Sequence, residues 1–344
     1  MSWKKIALIG ILSTVINLQV SAVEAGLISE KDEIKMGQQA ASQLEEEVGV
    51  VTDSALNEEI TRVGRSMVPY SERPKLTYGF KILDDSSVNA LAIPGGFVYV
   101  YKGLLDYMPD ENVRAAVIGH EIGHVAKKHS VNSIEKQLGI QIALGILVGD
   151  RYGTIQGLFT KTLFASYSRG DERQSDVKGF EYSTAAGYNP YSMLMALNRL
   201  GALPNQGKAG LFSDHPNADA RVSTLKKEML KQGIRPSVVE KDSKVNLEDG
   251  KWKWPVMGAA NGLGYDASYR AYAFAGRLSM LDRAGTFNGS NVRLVGNSLY
   301  HGQTYLIEFF PGDAEAAGMA FDKYLTEMLG ATKNWPREAV KTKK

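Results

Sequence analysis

The 344-residue sequence contains no cysteine. That excludes disulfides, thiol chemistry and a lipid carried on an amino-terminal cysteine. Charge of either sign is not in excess either: the net charge is +2, so nothing draws the chain to nucleic acid, which calls for a concentrated basic stripe. The one basic cluster, at Lys341, Lys343 and Lys344, reads as a solvated end. Long apolar runs are equally scarce. Leu138 to Val148 is too short to cross a bilayer, and no repeat with a period near 34 residues follows residue 235. The overall mixture, 44% apolar and 23% charged, is that of a globular chain with room for about two domains.

What is present begins with an address. Lys4 and Lys5 precede an apolar run from Ile6 to about Val20, and Ala22 and Ala25 offer the small residue a cleavage point requires. Residues 1–25 are expected to be a secretory signal removed in a bacterial-type periplasm; the alternative is an uncleaved anchor, for which the run is short.

Histidine is rare, with five in the chain, yet three fall between positions 120 and 129. His120-Glu121-Ile122-Gly123-His124 follows Pro109-Asp110-Glu111, suited to a helix's first turn, and continues Val113, Ala116 and Val117 at helical spacing. Residues four apart on a helix share a face, so both imidazoles reach one ion with Glu121 alongside. With a third protein ligand, such a site leaves one Zn²⁺ position for a water whose pKa falls towards 7, and Glu121 takes its proton. The alternative is a histidine-rich surface helix.

Glu172 and Asp176 are the best candidates for the remainder, being four apart on an expected helix. One carboxylate can bind metal while the other fixes a ligand histidine's tautomer. Elsewhere, helices are expected from Ser29 through Leu44 and from Asp53 to Pro69, with strands at 76–83 and 90–101, the latter broken at Pro94-Gly95-Gly96. Asn89, Ala90, Leu91, Ala92 and Ile93 are the candidate sheet edge for an extended peptide, or else an interior strand. Gln137 to Ala165 reads as a lid or membrane-facing flap, or as a core hairpin.

His120-Glu121-x-x-His124, followed 48 residues after His124 by Glu172 and then Asp176, resembles the gluzincin metallopeptidases of family forty-eight. The resemblance extends to Asn89–Gly96, Tyr167-Ser168-Arg169, His215-Pro216 and Arg221, over roughly residues 28 to 232. It implies an α+β fold: a mostly helical zincin-like domain with a small sheet. It also implies one Zn²⁺ per chain on His120, His124 and Glu172, with Glu121 as general base and Asp176 behind a ligand histidine. His215 and Arg221 match positions near the metal, where they could stabilise an oxyanion; His215 could instead be a self-inhibiting fourth ligand or a turn histidine. His129 is expected to pack or cap, without ligating. Ser175 stands where relatives more often carry Ala, a change expected to be harmless.

From 236 to 250 the polar composition suggests a linker, separating a peptidase domain at 26–235 from a smaller α/β domain at 251–344. In the latter, strands are expected at 292–295 and 304–310, then one helix from Pro311 through Met328; His301 is expected in a loop. The expected activity is a periplasmic zinc endopeptidase acting on misfolded or stalled envelope proteins. The alternative is a chaperone or assembly factor binding unfolded chains, with a latent or structural zinc site. Partners are protein or peptide substrates, without nucleic acid; peripheral contact with a membrane or with outer-membrane assembly machinery stays open.

Overall fold

A computed structural model describes residues 28–143, 167–203, 218–242, 244–258 and 265–335. The expected signal segment, residues 144–165 of the expected lid, and His215 lie outside them. The described residues form a mixed α+β fold in two packing units, residues 28–109 with 117–182, and residues 110–116 with 183–203 and 218–335. Among them, no helix is long and apolar enough to cross a membrane.

In the first unit, α1 (Glu30–Val48) starts where Ser29 Oγ accepts from the Asp32 N–H at 3.2 Å, and α2 (Ser54–Met67) where Asp53 accepts from Leu56 at 3.1 Å. Both are side-chain caps on otherwise unsatisfied amides, as the sequence leads one to expect. Strands β1 (Gly79–Leu83), β2 (Ala90–Ile93) and β3 (Phe97–Tyr101) form one sheet in the order β1-β3-β2. β1 runs parallel to β3 and β2 antiparallel to it, with Ala92 opposite Val98. Val50 bridges to Leu83 on the outer side of β1, so β2 is the edge without a further strand partner among the described residues. The turn from β2 to β3 needs glycine at Gly96: its φ is +101°, and a Cβ there would stand 2.4 Å from the Thr77 carbonyl oxygen. Met36, Leu44, Leu83, Ile93, Tyr99, Ile134 and Leu138 close a core of sheet and helices.

The chain then passes through α3 (Lys102–Tyr107) into α4 (Glu111–Ala126), whose start is held by Asp110 Oδ1 accepting from Asn112 N at 2.9 Å. Next come α5 (His129–Ala143) and α6 (Arg169–Ala185). α4 and α6 approach closely because small residues face each other. A Cβ on Gly119 would lie 3.1 Å from the Gly179 Cα, and one on Gly123 would lie 3.3 Å from the Ser175 Cα.

The second unit adds α7 (Ser192–Gly201), α8 (Ala218–Lys231) and α9 (Ala267–Arg283). Residues 236–250 are not a plain linker. They form β4 (Ser237–Lys241) and β5 (Lys244–Asp249), antiparallel and extended by β6 (Trp252–Lys253). Their polar composition hides a buried row, Val238, Val245 and Leu247. The packing units also divide the chain differently from a boundary at 236–250, because α7 and α8 pack with each other and α7 with α9. A third sheet joins β7 (Val292–Val295), β8 (Ser298–His301) and β9 (Thr304–Glu308). His301 is therefore a strand residue, its Nε2 accepting from the Asn288 N–H at 2.9 Å. The single helix expected after Pro311 is two, α10 (Pro311–Ala317) and α11 (Phe321–Lys333), because Gly318 turns left-handed (φ 70°) and caps the first.

Candidate metal centre

α4 and α6 carry the site. His120 and His124 sit one helical turn apart on α4, and Glu172 and Asp176 one turn apart on α6; all four side chains are buried. His120 Nε2 and His124 Nε2 are 3.0 Å apart. The Glu172 carboxylate reaches both, at 3.6 Å from His120 Nε2 and 3.4 Å from His124 Nε2. His120, His124 and Glu172 thus form a cluster that could hold a metal ion. Ligand atoms about 2.0–2.2 Å from zinc at tetrahedral angles stand about 3.3–3.6 Å from one another, which the observed spacings approach. Two imidazole nitrogens and one carboxylate are also a donor set that zinc accepts.

Asp176 does not join the cluster. Its Oδ1 accepts from His120 Nδ1 at 3.1 Å, which leaves the His120 Nε2 lone pair directed at the cluster. Glu121 is buried beside His120. Tyr167 stacks on the His124 ring, centroids 3.9 Å apart, and its hydroxyl is 2.7 Å from Ser130 Oγ. Burial pushes the Tyr167 phenol well above its ordinary range, and the charges of Glu121, Glu172 and Asp171 push it further.

Residues 54–229 match peptidase family M48, just over half of the chain. The chain belongs to peptidase family M48. This agrees with the resemblance carried by the His120, His124, Glu172 and Asp176 pattern. Among relatives, the M48 chain is 29% identical to metalloprotease LoiP of Escherichia coli (strain K12) over 163 residues, 45% of this chain and 64% of that protein. It is 25% identical to the beta-barrel assembly-enhancing protease of the same organism over 229 residues, 60% of this chain and 45% of that protein. It is 30% identical to mitochondrial metalloendopeptidase OMA1 of Arabidopsis thaliana over 148 residues, 42% of this chain and 30% of that protein. The chain thus spans less than two thirds of the first relative's length and under half of the other two.

Of the other candidates in this M48 chain, Arg221 is a buried residue of α8, in the second packing unit. β2 is an edge strand, and Ala92 lines a small pocket of about 10 Å³ together with Glu33, Pro94, His124 and Ser130. The feature missed in the sequence is His129. Five residues beyond His124, it points off the ligand face of a continuous helix. The helix instead ends at Ala126, Lys128 turns left-handed (φ 56°), and His129 comes back to put its Nδ1 3.0 Å from His124 Nδ1. Ser175, noted as standing where relatives more often carry Ala, lies with its Oγ 3.4 Å from that same His129 nitrogen. Three histidines within ten residues were the available signal.

Proposed function

We propose that the protein is a zinc-dependent endopeptidase that hydrolyses peptide bonds of misfolded or stalled cell-envelope proteins. The observation that carries the reading is the convergence of His120, His124 and Glu172 within 3.0–3.6 Å, with Glu121 buried alongside. Family membership supports it, and so do relatives whose names are metalloprotease, metalloendopeptidase and beta-barrel assembly-enhancing protease.

His120, His124 and Glu172 would hold the ion, and Asp176 would orient His120. When bound, zinc supplies Lewis-acid polarisation of a carbonyl and acidifies a water. Glu121 takes that water's proton and delivers it to the leaving amine. Substrate lies as an added strand on β2, held by main-chain hydrogen bonds that demand no particular sequence. That Ala92 of β2 and the ligand His124 line one small pocket supports that placement. The family resemblance implies that His215 acts on the oxyanion or, in the competing version, locks the fourth ligand position. Residues 1–25 direct the chain to the periplasm, where the family-matched residues 54–229 carry the peptidase activity.

The test is cleavage of casein by zinc-analysed wild type, Glu121→Gln and His215→Ala. Wild type should cut, and Glu121→Gln, retaining one zinc, should lose about 10²–10⁴-fold in rate. Cutting by His215→Ala alone identifies His215 as a lock. Equal cutting by Glu121→Gln and wild type would overturn the assignment; no cutting by any zinc-loaded form would move the chaperone reading ahead.

A further inference from the structure

His124 is oriented by a contact that neither the ligand pattern nor the family match assigns. Its Nδ1 lies 3.0 Å from His129 Nδ1, and His129 Nε2 lies 2.8 Å from Gln174 Oε1. Two ring nitrogens at that distance form a hydrogen bond only when one of them carries the proton. The direction of this bond therefore decides which nitrogen of His124 keeps a lone pair.

The far side of His129 argues for one direction. Gln174 Oε1 is an acceptor only, and so is Asp171 Oδ1, 3.6 Å from the same Nε2. His129 accordingly carries its proton on Nε2, and its Nδ1 accepts from His124 Nδ1–H. His124 Nε2 is left as a lone pair, 3.0 Å from His120 Nε2 and 3.4 Å from Glu172 Oε1. The Ser175 hydroxyl, at 3.4 Å, lies within reach of the same His129 lone pair.

We propose that His129 and Gln174 form a relay of positioning residues that sets the tautomer and orientation of His124 for metal binding. The proposal rests on the metal reading of the cluster. It gives α6 a second task. The helix that supplies Glu172 also sets both histidines, His120 directly through Asp176 and His124 at one remove through Gln174 and His129. The buried His129 is fixed by packing, whereas Gln174 is exposed, so it can be exchanged without disturbing the core.

The experiment measures zinc affinity of the full chain by chelator competition, alongside the ring-nitrogen NMR signals of the zinc-loaded protein. His129 should be protonated on Nε2. Removal of an outer partner of a ligand histidine costs about 10–100-fold in metal affinity. His129→Phe should lose affinity in that range, Gln174→Met about 10-fold, and Gln174→Glu, which keeps an acceptor, should stay within about 3-fold of wild type. Should His129→Phe not fold, as read by thermal unfolding, the two Gln174 variants decide. A His129 protonated on Nδ1, or Gln174→Met binding zinc as tightly as wild type, would overturn the relay. Wild type and His215→Ala that both bind zinc tightly yet cut nothing would overturn the peptidase reading and leave the relay standing.

Discussion

His120 Nδ1 donates to Asp176 Oδ1 across 3.1 Å, and both side chains are buried. The charge of the acceptor makes the bond stronger than a neutral one and strengthens His120 as a donor to metal. Asp176→Asn should weaken zinc binding by about 10-fold and Asp176→Ala by up to about 100-fold, as chelator competition would measure. Equal affinity in all three proteins would remove Asp176 from the site.

Glu72 ties the end of α4 to α6. Its carboxylate accepts from Lys127 and Lys178, each at 2.8 Å, and from the Tyr182 hydroxyl. Burial acts to raise its pKa, but those hydrogen bonds outweigh it and hold the group at about 2 against an ordinary 4.5. A carboxylate with a lowered folded-state pKa stabilises the fold above its unfolded value and loses that contribution as pH falls through its folded value. Glu72→Gln should therefore melt below wild type at neutral pH, with the gap closing between pH 4.5 and about 2. Melting curves across that interval check it; a gap independent of pH would contradict it.

In the second unit, Asp313 is buried and accepts from Arg270 at 2.8 and 3.0 Å, from Gly258 N at 3.0 Å and from Phe310 N at 3.0 Å. Removing one partner of a buried pair strands the other charge, at about 3–5 kcal/mol. Asp313→Ala should lose about that much in urea unfolding, and Arg270→Met with Asp313→Leu should recover part of it. A loss below about 1 kcal/mol would show that the pair is readily solvated.

The β2–β3 turn is a close backbone approach near the proposed substrate edge. Gly95 N donates to Glu33 Oε1 at 3.0 Å, and Gly96 sits at φ +101° against Thr77. Gly96→Ala should cost about 1–3 kcal/mol, since alanine is strained there and its Cβ meets backbone that cannot yield. Zinc affinity should be retained while casein cleavage falls, because the turn positions β2 and not the ligands. Unchanged unfolding and cleavage would show that the turn relaxes freely.

Much of the first unit was legible in the sequence because its signals are local. Ser29 and Asp53 cap helices through amides three residues on, and His120 with His124 share a face through helical geometry alone. Glu172 and Asp176 follow the same rule on their own helix. Other features depend on contacts that composition conceals. Residues 237–249 read as polar because only alternate side chains, Val238, Val245 and Leu247, face inward. The break at Gly318 escapes a pattern whose apolar spacing continues across it.

The sequence by itself determined which atoms can be ligands, because a four-residue spacing on a helix leaves little freedom in where side chains point. Only the tertiary structure decided which strand edge lacks a further strand partner among the described residues and which nitrogen of His124 keeps its lone pair. The first depends on where Val50 lies against β1, and the second on a left-handed turn at Lys128 that returns His129 to His124 and on Gln174, 45 residues further along the chain. Hydrogen-bond direction is set by neighbours in space, and spacing along one helix does not contain them.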